Sequence, residues 1–122
     1  VKKWLTLFLL APFVAFAAVG PLVNASTLTI TTGGTWQTMF AKNQNRSTLW
    51  IENPCSATTQ GITTAESLFV AFGSAPSGGG TSGTFELAPC GTLTMTGSYI
   101  SEQAVYVYAA TTNHAFEAAQ TQ

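Results

Sequence analysis

Apolar and polar positions alternate along most of the chain after residue 25. The clearest case is Thr48-Leu49-Trp50-Ile51-Glu52, where Leu49 and Ile51 fall on one side and Thr48, Trp50 and Glu52 on the other. A period of two marks a half-buried strand, with Trp50 as an apolar handle on its second face. Pro54 has no N–H to give a ladder, and Asn53-Pro54 favours a turn, so the strand ends there. Residues 26–32 alternate in the same way and stop at Gly33-Gly34. Leu68-Phe69-Val70-Ala71-Phe72, Phe85-Glu86-Leu87, Thr92-Leu93-Thr94-Met95-Thr96 and residues 104–109 supply further strands, and residues 114–119 a closing edge strand. The strands around Leu49 and Leu68 together are expected to form the centre of the domain. Trp36, Met39 and Phe40 fit either one helical turn or a short irregular strand. Residues 56–67 show no clear period, and residues 74–83 have the Gly/Ser composition of a mobile loop.

Short strands punctuated by turn signals predict an all-β fold, a small antiparallel β-sandwich or jelly roll. Its expected core is Leu49, Ile51, Val70, Phe72, Leu87, Leu93, Val105 and Val107. The N-terminus departs from this pattern. Lys2-Lys3 precedes a long apolar run, the form of a secretory signal peptide, with small-x-small cleavage sites at Ala15-Phe16-Ala17 and Val23-Asn24-Ala25. Residues 5–23 also have the length of a hydrophobic helix retained as a membrane anchor. The expected division is a signal peptide or anchor over residues 1–25 and a β-sandwich domain over residues 26–122.

Charge is sparse. The chain has 122 residues and no Asp; outside Lys2 and Lys3, the cations Lys42 and Arg46 stand against Glu52, Glu66, Glu86, Glu102 and Glu117. Nucleic-acid binding through phosphates requires clustered Lys and Arg, which this composition lacks. The triple glycine at 78–80 is followed by no Lys, so it does not read as a phosphate cradle.

Cys55 and Cys90 both follow a proline at strand ends, and in an exported chain they are expected to form a disulfide; in a reducing cytoplasm they would be free thiols. His114 is the only histidine. Without an Asp to orient it, or a recognisable nucleophile motif, it reads as an exposed strand-end residue rather than a catalytic base. One His and two Cys do not make a closed metal site, and no cofactor is implied. The glutamates are scattered singly, so an acid/base pair would have to come from folding. Asn45-Arg46 reads as a turn-capping Asn beside an Arg held by a carboxylate such as Glu52 or Glu117. Trp50, Tyr106 and Tyr108 are expected together on the face opposite the aliphatic core, as a subunit contact or a carbohydrate platform.

From Lys42 onward the order of features resembles small β-sandwich domains of bacteriophage virion proteins, among head-decoration and tail-associated components. The resemblance is carried by Asn45-Arg46, Leu49-Trp50-Ile51-Glu52-Asn53-Pro54, Leu68-Phe69-Val70-Ala71-Phe72-Gly73, Leu87-Ala88-Pro89-Cys90-Gly91 and Val105-Tyr106-Val107-Tyr108-Ala109-Ala110. It implies a non-enzymatic virion structural or accessory protein: a decoration, minor capsid or membrane-associated component whose partners are its own copies or other virion subunits. The cysteine in the Pro-Gly turn and the export-like segment depart from that pattern. They admit membrane contact through residues 5–23, or an exported, periplasmic bacterial binding module for a surface glycan or small ligand.

Overall fold

The computed structural model describes residues 24–78 and 83–122, with side chains from residue 27. The expectations for a signal peptide or anchor, and the tip of the glycine-rich loop at 79–82, lie outside the described residues. Among those described, the elements run β1 (Asn24–Thr29), β2 (Gln37–Phe40), β3 (Thr48–Glu52), α1 (Ala57–Gln60), β4 (Leu68–Phe72), β5 (Phe85–Leu87), β6 (Thr92–Thr96), a 3-10 turn (Gly97–Tyr99), β7 (Val105–Tyr108) and β8 (Ala115–Thr121). They form two four-stranded antiparallel sheets, ordered β1-β8-β3-β6 (the first sheet) and β2-β7-β4-β5 (the second). The arrangement is that of a small β-sandwich.

Alternation sorts the strands as their sequences require. In β3, Leu49 and Ile51 point inward and are buried; in β7, Val105 and Val107 do the same, and in β8 Phe116 and Ala118. Ile30, Leu68, Val70, Leu87 and Ala109 complete the buried cluster, with Phe72 and Leu93 packed against it but only partly buried. Phe72 lies opposite Val105 near a sheet end, edge-to-face with the half-exposed Phe85, and so keeps some solvent contact. Each fully buried aliphatic side chain contributes about 1.5–3 kcal/mol by leaving water.

Three local expectations change, and one left open is decided. The first strand closes at Thr29, because beyond it only Ile30 still exchanges backbone bonds with Asn113 and His114 before Thr31 turns away. Residues 37–40 form a strand and not a helical turn, because β7 offers them an edge with which to pair. The Thr-rich stretch contains α1, started by a reciprocal cap between Ser56 and Thr59 and ended by Gly61 in the left-handed region. Residues 115–121 are no edge: β8 is sandwiched between β1 and β3, and β1 and β6 take the edges. The strands expected to form one centre, β3 and β4, are each central, but in different sheets.

The turn after β5 is tight. A Cβ on Gly91 would lie 2.6 Å from the Ala88 carbonyl oxygen, so only glycine fits. Asn53 N–H donates to the Gly91 carbonyl and Cys90 N–H to the Asn53 carbonyl, at 2.9 and 3.0 Å. This pairing brings Cys55 and Cys90 together, and they form a disulfide with a Cα–Cα distance of 4.1 Å.

Candidate functional site

The outward side chains of the second sheet are aromatic. Tyr106 and Tyr108 alternate with the buried valines of β7, and Phe69 lies opposite Tyr108 on β4. Trp36, just before β2, stands 5.4 Å from Tyr108 between ring centroids at 42°, and Phe69 packs edge-on to Tyr108 at 6.0 Å. Such tilted and edge-on pairs are favourable beyond the area they bury. The Trp36 indole N–H donates to the Gly78 carbonyl at 3.1 Å, tying the loop after β4 to the strip. The four rings remain half-buried; no charged side chain lies between them in register, and the exposed Glu86, opposite Phe69 on β5, borders the strip.

Trp50 is elsewhere. β3 pairs with β8 and β6, β7 with β2 and β4, so Trp50 projects from the first sheet and the tyrosines from the second. The three aromatics expected on one face therefore occupy opposite outer faces of the sandwich. Trp36 and Phe69 take the place assigned to Trp50. Phe69 was readable from its odd position between Leu68 and Val70; Trp36 lies outside any alternating run.

On the outer face of the first sheet, folding does bring two glutamates together. Glu52 and Glu117 are directly opposed in the β3–β8 register. They line a cleft of about 410 Å³ with Thr27, Ala115, Pro54, Cys55, Ser56 and Thr59. A second cleft of about 450 Å³ opens between edge strands β1 and β2, floored by Leu28, Met39, Val107 and Phe116 and rimmed by Thr29, Thr31, Gln37 and Thr38, with no charge.

His114 overturns its expectation: it is fully buried. Its Nε2 lies 2.9 Å from Asn53 Oδ1 and its Nδ1 3.1 Å from Glu66 Oε1. The Asn53 amide is oriented by its other half, since Nδ2 donates to the Glu66 and Leu87 carbonyls at 2.9 and 2.8 Å. Oδ1 is therefore an acceptor that takes the Nε2 proton, and the Nδ1–Glu66 contact needs a further proton held between ring and carboxyl. Glu66 in turn accepts from the Thr111 N–H and hydroxyl, both at 2.8 Å. Burial pushes the Glu66 carboxyl up, but the bonds from His114 and Thr111 outweigh it and hold the group below its usual range. Gln60 closes the network, donating to Asn53 Oδ1 and accepting from the Glu66 N–H at 2.9 and 3.0 Å. These groups anchor the ends of β3, α1 and the chain entering β4 and β8, and with each polar atom engaged they have the character of a structural clasp.

Arg46 is also buried, and no carboxylate holds it. Its Nε donates to Gln120 Oε1 at 2.9 Å, and its terminal nitrogens to the carbonyls of Ser101, Gln103 and Ala41. Glu52 and Glu117 are out of reach because they project from the opposite face of the first sheet. Burial lowers the Arg46 pKa from its ordinary value. The turn before it is capped by Asn43, whose Oδ1 accepts from the Asn45 N–H at 3.0 Å, and not by the Asn45 side chain.

Cys55 and Cys90 are bonded to one another, so neither is a thiol in this state. A disulfide is the chemistry of an oxidising, export-type environment. Among the described residues no group of three or more His, Cys, Asp or Glu is placed to hold a metal ion, and no helix is long and apolar enough to cross a membrane.

Comparison with family models, curated proteins and solved structures finds no match. What the domain offers is thus its own chemistry: an aromatic outer face, an acidic outer face and a satisfied polar clasp between strand ends.

Proposed function

We propose that the chain is a non-enzymatic structural or accessory subunit of a bacteriophage virion. It docks onto its own copies or another virion subunit through the outer face of the second sheet. The observation that carries the reading is the strip Trp36, Phe69, Tyr106 and Tyr108, half-buried, uncharged and braced by the Gly78 loop. Aromatic residues are enriched and charged ones depleted at the centres of protein interfaces. The order of strand motifs from Asn45 to Ala110 supports the virion setting, and the disulfide supports a route through an oxidising compartment.

Light scattering and virion pull-down on the full chain test it. Phe69→Ser/Tyr108→Ser should abolish self-association, whereas Trp50→Ser, on the other sheet, should leave self-association intact. A protein that stays monomeric at high concentration and binds no virion component sinks the proposal. The second reading, an exported module for a surface glycan or small ligand, draws on the same tilted Trp36–Tyr108 pair as a stacking platform, and binding of a neutral oligosaccharide lost in Tyr108→Ser would favour it.

A further inference from the structure

Glu52 and Glu117 present an electrostatic imbalance. They face each other across neighbouring strands, where like charges are destabilising. Among the described residues neither has an ion-pair or side-chain hydrogen-bond partner. Arg46 is turned into the interior and bonded to neutral acceptors, which leaves Lys42 as the exposed cation among the described residues. The register neighbours on the outer face, Thr48, Thr92, Thr94, Ala115 and Ala119, are all uncharged.

The pair also has walls. On one side Pro54, Cys55, Ser56 and Thr59 line the open cleft of about 410 Å³. Outside that lining Trp50 projects from the same face of β3, two residues from Glu52, or about 7 Å along the strand. Paired carboxylates beside an indole suit a guanidinium, which donates charge-assisted hydrogen bonds to both and stacks on an aromatic face.

We infer that the outer face of the first sheet is a second docking surface, one that receives an arginine side chain of a basic protein partner between Glu52 and Glu117. Charge selects the partner. Two copies meeting through this face would bring four carboxylates together, so the contact is with a different, basic surface. The domain thus joins two unlike neighbours: one met through aromatic side chains on the second sheet and a positively charged one on the first.

The test uses the full oxidised chain and the peptide acetyl-Gly-Arg-Gly-Arg-Gly-amide, followed by calorimetry. Without peptide, Glu52→Gln and Glu117→Gln should each raise Tm by about 1–5 °C, because repulsion is relieved. The double variant should bind the peptide about tenfold more weakly, a loss of about 1.4 kcal/mol. Trp50→Ala should weaken this peptide more than its lysine counterpart. Four outcomes overturn the inference: no peptide binding by the parent chain, equal binding by the double variant, a fall in Tm on neutralising either carboxylate, or carboxylate-dependent capture of a neutral oligosaccharide in place of the peptide. Phe69→Ser/Tyr108→Ser, on the opposite sheet, should leave peptide binding unchanged, so this inference and the proposed function fail separately.

Discussion

The Asn53 side chain has no solvent exposure, yet it bonds two backbone carbonyls, the Gln60 amide and the His114 ring. In the sequence Asn53 looks like punctuation before Pro54; in the structure it joins strand ends separated by much of the chain. Its neighbour Glu66 gives the clasp a pH dependence. The folded carboxyl is held below its ordinary value by His114 and Thr111 despite burial. The stability it contributes is therefore present above the unfolded carboxyl value of about 4.3 and is lost as pH falls through the folded one. Urea midpoints taken across an acid series should drop below about pH 4. Glu66→Gln, already weaker at neutral pH, should show a shallower drop. An identical acid profile for the variant would remove Glu66 from the cause.

Among the elements, the Pro89–Gly91 turn and the end of β3 are joined by two backbone hydrogen bonds and the disulfide, and the Asn53 amide ties in the end of β5 just before the turn. The covalent link spans a sequence separation of 35 residues. On chain-entropy grounds it should contribute about 3–4 kcal/mol, chiefly by restricting the unfolded chain. Because the non-covalent links stay in place, Cys55→Ala/Cys90→Ala should keep the same folded far-ultraviolet spectrum while its unfolding free energy from denaturant titration falls by that amount. Loss of the folded spectrum at neutral pH would mean the bond is required to form the turn, and not only to tie it.

At the level of the molecule the sandwich separates two kinds of outer surface. The aromatic strip acts through apolar contact, with Glu86 only at its border, whereas the Glu52–Glu117 face acts through charge and partly in solvent. Salt should therefore divide them. Raising ionic strength from low to about 0.5 M shortens the screening length to a few ångströms. Peptide binding to the acidic face should weaken steeply, while association through the second sheet holds or strengthens. Equal salt sensitivity for both, measured by calorimetry and light scattering on the same sample, would contradict the assignment of the faces.

Much of this is local and therefore readable from the chain. A two-residue period decides which side chains of a strand share a face, so Leu49, Ile51, Val70, Val105 and Val107 were identifiable as core before any strand was paired. Proline and glycine mark where ladders must stop, which placed Cys55 and Cys90 at strand ends. Pairing is not local. Which strands become neighbours depends on closing loops of very different length around one shared core. That choice alone put Trp50 and Tyr108 on opposite faces, set Glu52 against Glu117 and made β8 central. The same holds for buried polar groups. A lone histidine is read as exposed, and an arginine as held by a carboxylate, because burial costs several kcal/mol unless every donor finds an acceptor. Only the assembled fold supplies those acceptors, the carbonyls and amides around Arg46 and the Asn53–Glu66 pair around His114.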